Sequence, residues 1–150
     1  MYFRSTQRLT LAGARKIVAA ATARAEAAGI AISVVVADAG GHPLAMERMD
    51  GGRFHTVHSA TTKAACAASN RRPTGSAGAQ GQPLDTVHAL GLTLAAGDGR
   101  WTALEGGCPI IVDGECIGGV GVSGGSFDFD QLVAREAVEA IGAGWQQNPR

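Results

Sequence analysis

A chain of 150 residues can bury one sizeable core but is too short for two ordinary domains, so a single domain over 1–150 is expected, with its core at about 9–142 and loose ends at 1–8 and 143–150. Hydrophobic residues make up 45% and charged residues 17%, which excludes a disordered chain, and thirteen basic residues balance thirteen acidic ones, which argues against a nucleic-acid or acidic-membrane surface. No apolar run approaches the ~20 residues of a membrane span, and MYFRSTQRLT lacks the apolar stretch of a secretory signal, so export by that route is not expected.

Thr10 is placed to cap a first helix with its apolar stripe at Leu11, Ala14, Ile17/Val18, Ala21 and Ala25, and Gly29 stops it. Ile30 to Ala37 is β-branched and apolar throughout, the pattern of a strand buried on both faces. The turn at 38–41 returns the chain as a second strand over 43–49. Phe54 to Ser69 is alanine-rich and predicts the second long helix. The Gly-, Gln- and Pro-rich stretch 70–83 reads as a lid-like loop, 84–94 as a short helix carrying Asp85 and His88, and 101–104 as a brief strand. A sharp connection follows at 105–109. Asp113-Gly114 then predicts a type I′ hairpin between 110–112 and 116–123. Glycines at 118, 119 and 121 within that last strand imply that another backbone or a ligand comes close. Ser126 or Asp128 caps a final helix to about Ile141, with Leu132, Val133, Ala137 and Ile141 facing inward. The order α-β-β-α-α-β-β-β-α predicts an α+β fold: one five-stranded, mostly antiparallel sheet covered by helices.

The 54–69 helix holds most of the reactive side chains. His55 and His58, three apart, could share a metal, ligate haem iron or move protons. No HExxH or Cys-x-x-Cys motif accompanies them to build a zinc site. Lys63, if buried, becomes a base or an anion anchor. Asp38 and Arg48 could pair across their hairpin or line a site rim. The turns Gly106-Gly107 and Gly124-Gly125 could offer backbone N–H groups to a carboxylate, or simply turn the chain. Cys66 and Cys108 could be nucleophiles or small buried residues. Trp101 and Cys108 join Asp38, Arg48, Gly106 and Gly107 as ligand-binding candidates. Three cysteines (66, 108, 116) cannot all pair, so a reduced cytoplasmic setting is expected. The low-charge surface favours a homo-oligomer, a dimer or larger ring.

VVVADAGGHPLAMERMDG (34–51), ATTKAACA (60–67), GGCPIIVDGECIGGVGVSGGSFDFD (106–130) and the closing amphipathic helix together resemble the GlcG/HbpS family, called haem-degrading and related to the C-terminal domain of PduO. The resemblance implies a three-layer, profilin-like fold, assembly into dimers or rings, and haem binding in some members. The matching positions include Asp38, Gly40, Gly41, Arg48, Asp50, Lys63, Gly106, Gly107, Pro109, Asp113 and Gly114. Histidines at 55 and 58, and cysteines at 66 and 108, depart from the family's usual residues.

Two functions follow as expectations. One is a binding protein for haem or another flat carboxylate-bearing ligand, with His55 or His58 on the iron, and Lys63 and the Gly106-Gly107 N–H groups on the acidic substituents. The other is a cofactor-independent isomerase, tautomerase or dehydratase for a small oxo- or hydroxy-acid, with a histidine as base and Lys63 as electrostatic stabiliser. An oligomeric scaffold without a ligand is the third. The first two require the imidazoles and the ammonium to converge on one enclosed hollow.

Overall fold

The computed structural model of the chain describes residues 1–147. Thr10 accepts the Gly13 N–H at 3.0 Å and opens helix α1 (Leu11–Ala27), whose buried side is Ala14, Ile17, Val18, Ala21 and Ala25. Strand β1 (Ser33–Asp38) is buried along nearly its whole length, and β2 (Pro43–Arg48) returns antiparallel beside it. Helix α2 (His55–Asn70) and helix α3 (Thr86–Ala96) precede the hairpin of β3 (Gly107–Val112) and β4 (Glu115–Ser123). Asp113 and Gly114 both take positive φ, 51° and 77°, as a type I′ turn requires. Ser126 accepts the Phe129 N–H at 3.2 Å and starts α4 (Phe127–Glu139).

The described residues form a four-stranded, wholly antiparallel sheet in the order β2-β1-β4-β3. The expected fifth strand at 101–104 does not form. Trp101 is buried there, and the Thr102 carbonyl lies 3.5 Å from the Cys66 sulfur, so this stretch faces α2 instead of extending the sheet. The outer edge of β3 is met at one point by the tail, where Ile111 and Gly144 exchange two backbone bonds of 2.8 Å. Residues 143–147, expected to be loose, thus pack back: Ala143 is buried, and Trp145 lies under Arg135 and donates to Glu139 at 3.0 Å. The remaining tail, 148–150, lies outside the described residues. Leu132 also departs from expectation; it is exposed, and Asp130, Gln131, Val133, Ala134, Ala137 and Val138 form the inward face of α4.

The layers follow from strand alternation. Val34 and Val36 of β1, with Val120 and Val122 of β4, point into the main core under α1 and α4. Val35 and Ala37 point the other way, to Ala60 and Ala64 of α2. The glycines of β4 explain how close α2 comes. A side chain at Gly119 would run into the Ala64 carbonyl, and one at Gly121 into the Ala60 carbonyl. The close approach inferred from the glycine-rich strand is therefore to backbone, that of α2 at Gly119 and Gly121 and that of β1 at Gly118, which lies against the Ala37 carbonyl.

Candidate functional site

Helix α2 has two faces of different chemistry. Thr56, Ala60, Lys63, Ala64 and Ala67 form the buried side against the sheet. Polar members of that side are tied across the interface: Ser33 and Thr56 hydroxyls are 2.8 Å apart, and those of Ser59 and Ser123 2.7 Å. His55 and His58 lie on the other side and are exposed. The exposed Phe54 ring stands edge-on to that of His55, 5.9 Å between centroids. Beyond them, Thr62 lies near Gly99, and Cys66 near Thr102, so the chain returning from α3 meets the C-terminal half of this stripe. The start of α2 has neither a side-chain cap nor an acidic residue in its first turn, and its Thr56 and Val57 N–H groups turn back onto the Arg53 and Phe54 carbonyls at 3.1 and 3.3 Å, so what this end offers an anion is its dipole and not free donors.

Lys63 is elsewhere. Its side chain is 2% exposed, donates to the Val122 carbonyl at 2.9 Å and pairs with the Asp130 carboxylate at 3.5 Å. Asp130 also accepts the N–H groups of Gly125 at 2.8 Å and Gly124 at 3.3 Å. The Gly124-Gly125 turn therefore binds an anion, and the anion is the chain's own carboxylate at the start of α4. Burial drives Lys63 below the usual lysine range, against the Asp130 charge that raises it. Burial likewise drives Asp130 up, against the Gly125 N–H and Lys63 that lower it.

The other turn is closed as well. Gly106 N–H donates to the Gln131 amide oxygen at 3.0 Å, and Gly107 N–H to the Thr74 hydroxyl at 2.8 Å; both glycines are buried. Neither N–H is free for a ligand. Cys108 and Trp101 are buried, and burial pushes the thiols of Cys66, Cys108 and Cys116 up, which disfavours the nucleophilic thiolate.

Asp38 and Arg48 do not pair. In the hairpin register Arg48 sits opposite Ser33, at the far end from Asp38. Asp38 instead accepts the N–H groups of His42 at 3.0 Å and Gly40 at 2.9 Å, and these bonds, that from His42 foremost, hold its carboxyl below the usual range against burial, which raises it. It lines a cavity of about 850 Å³ with the N-terminal arm, Arg71 and Glu115, whereas Arg48 lines one of about 440 Å³ with Glu26 and Asp50. Neither cavity reaches His55, His58 or Lys63. The single hollow expected from the sequence is thus divided among two cavities, a buried ion pair and an open helix face. The proton-transfer arrangement keeps a histidine but loses its stabiliser and its glycine turn, because Lys63 and both glycine N–H groups are engaged inside the fold.

Sequence reasoning did not single out Asp130, Gln131 or Thr74. The phasing of α4 was the available signal, since an inward stripe through Val133 and Ala137 also carries Asp130.

A family model described as "Haem degrading protein HbpS-like" matches residues 9–139. The chain belongs to this family. Protein GlcG of Escherichia coli K12 is 37% identical over 110 residues, 73% of this chain and 77% of GlcG. The crystal structure of Klebsiella pneumoniae protein ORFY superposes with a TM-score of 0.81 at 32% identity, covering 95% of this chain and 96% of ORFY. That of a PduOC–haem complex superposes with a TM-score of 0.79 at 27% identity, covering 94% and 100%. In this HbpS-like chain the block at 106–130 builds β3, the hairpin, the glycine face under α2 and the turn that holds Asp130. Its glycines serve the fold before any ligand.

Proposed function

We propose that this HbpS-like chain binds haem or a related flat tetrapyrrole bearing carboxylates. The observation that carries the reading is the open imidazole pair, His55 and His58, beside Phe54 at the uncapped start of α2. The donor set suits such a ligand. An imidazole is a common axial ligand of haem iron, Phe54 gives an apolar flank, and the positive helix end favours a carboxylate. The family description and the haem complex of the similar PduOC support the ligand class. Haem, when bound, supplies iron-centred ligand chemistry, while the chain binds and orients it. The acidic substituents would meet the start of α2, replacing the assignment to Lys63 and the Gly106-Gly107 N–H groups.

Titration with haemin, read by the Soret band, tests this. The wild-type chain is expected to shift the band saturably. His55→Ala/His58→Ala is expected to lower the haemin bound per chain at saturation. A wild-type spectrum indistinguishable from free haemin overturns the ligand class; unchanged saturation in the double variant removes the α2 assignment.

A further inference from the structure

Helix α3 buries none of its 11 residues, and among the described residues no other helix or strand packs on it beyond incidental contact. At that length an isolated helix is marginal in water. Its two sides are also the reverse of what a surface helix needs. Ala89, Thr93 and Ala96 share the half-buried side toward the rest of the chain, and the Thr93 hydroxyl already donates to the Ala89 carbonyl at 2.9 Å. Val87, Leu90 and Leu94 lie on the opposite stripe, 77%, 57% and 73% exposed, with Gly91 among them. Nothing lies within 4 Å of where a side chain at Gly91 would begin, so the stripe has a hollow at its middle. Single exposed apolar residues need no explanation; a whole uncovered stripe does.

The stripe matches itself when turned end for end. Laid antiparallel on a second copy about its centre, it sets Leu90 over Gly91 and Val87 against Leu94, each pair twice by the two-fold. The glycine that weakens a helix interior thus admits the side chain that the other copy brings. The ends agree in charge. Asp85 caps the N-terminal end by accepting the His88 backbone N–H at 2.8 Å. At the C-terminal end the Arg100 guanidinium folds back to Gly97, with Nη1 3.8 Å from where a side chain there would begin. Arg100 has no ion-pair partner among the described residues, and antiparallel packing brings the guanidinium end of each helix to the carboxylate end of the other. A membrane surface fits less well, because α3 carries no lysine or arginine for the polar face of an interfacial helix. We infer that α3 is the surface through which two copies of this chain dock, the helices antiparallel and crossing at Leu90 and Gly91. The inference stands apart from the ligand class and from the α2 assignment.

Analytical sedimentation over a wide range of concentration tests it. The wild-type chain is expected to associate reversibly, because two short helices cover little beside the roughly 800 Å² per partner of a standard interface. Gly91→Leu is the sharp variant. The new side chain meets nothing in its own chain and improves helix propensity, so the melting temperature should hold or rise. Filling the hollow should nevertheless raise the dissociation constant about 10-fold or more, and Leu94→Glu should do the same. Orientation is read separately: in a mixture of Val87→Cys and Leu94→Cys chains, mild oxidation should join unlike chains in preference to like ones. A wild-type chain that stays single at every concentration overturns the inference, all the more if it floats with anionic vesicles. An assembly of any size whose dissociation constant is unchanged in Gly91→Leu overturns it too, as does cross-linking of like chains over unlike.

Discussion

Replacing Lys63 with methionine is expected to destabilise the fold by about 3–5 kcal/mol, the usual cost of leaving one member of a buried ion pair alone. Asp130, in the first turn of α4, would remain buried with only the Gly124 and Gly125 N–H groups to balance its charge. Lys63→Met/Asp130→Asn should recover most of the loss, because the asparagine oxygen still accepts from Gly125 and neither charge remains buried. The signs of the pKa shifts agree. In the native chain both groups are displaced toward their neutral forms, chiefly by burial. A carboxyl with a raised folded-state value holds its proton longer in the folded state than in the unfolded one. Stability of Lys63→Met should therefore be highest near the unfolded aspartate value, about 4, and fall as pH rises from there through the raised folded value, by at most about 1.4 kcal/mol per pH unit. Urea unfolding of the three chains from pH 4 to 8 measures this. A Lys63→Met chain within about 1 kcal/mol of wild type at pH 7 would mean that Lys63 is not part of what holds the layers together.

Gly121→Ala is expected to cost about 3 kcal/mol or more, at the upper end of overpacking effects. The obstacle is backbone on both sides: the Ala60 carbonyl lies within contact of the new methyl, and the Ala64 nitrogen is 2.7 Å away. Neither can swing aside as a side-chain tip would, so α2 must lift from β4. Gly114→Ala is the control. It meets nothing within 4 Å, though its φ of 77° adds some strain. Thermal melts of the two should separate them clearly; equal melting temperatures would show that α2 has room to move.

Much of the architecture was legible in residue pattern. The all-apolar β-branched run around Val34 to Val36, the Asp113-Gly114 turn, and the caps at Thr10 and Ser126 each carry their structural meaning locally. The glycines at 118, 119 and 121 announced a close approach, although not by which backbone. The supposed strand at 101–104 failed because four residues with a β-forming tryptophan do not say whether a neighbouring strand is within reach. The site was less legible for a geometric reason. His55, His58 and Lys63 are close in sequence, but a helix turns 100° per residue, and the face that meets the sheet is settled by Ala60 and Ala64 fitting against glycine. That choice takes Lys63 inward and leaves the imidazoles outside. Its partner, Asp130, lies sixty-seven positions along the chain, and no local pattern links the two.

The sheet's two margins bear on how copies of the chain can meet. At one, Gly144 occupies the ladder position that another molecule's strand would need at Ile111. At the other, β2 begins with a proline that cannot donate, and ends with Glu47 and Arg48, both exposed. Propagation of hydrogen bonding from one molecule into the next is thereby discouraged on both flanks. A self-complementary contact through helical surfaces would close as a dimer, whereas head-to-tail growth from strand to strand would give open-ended fibres.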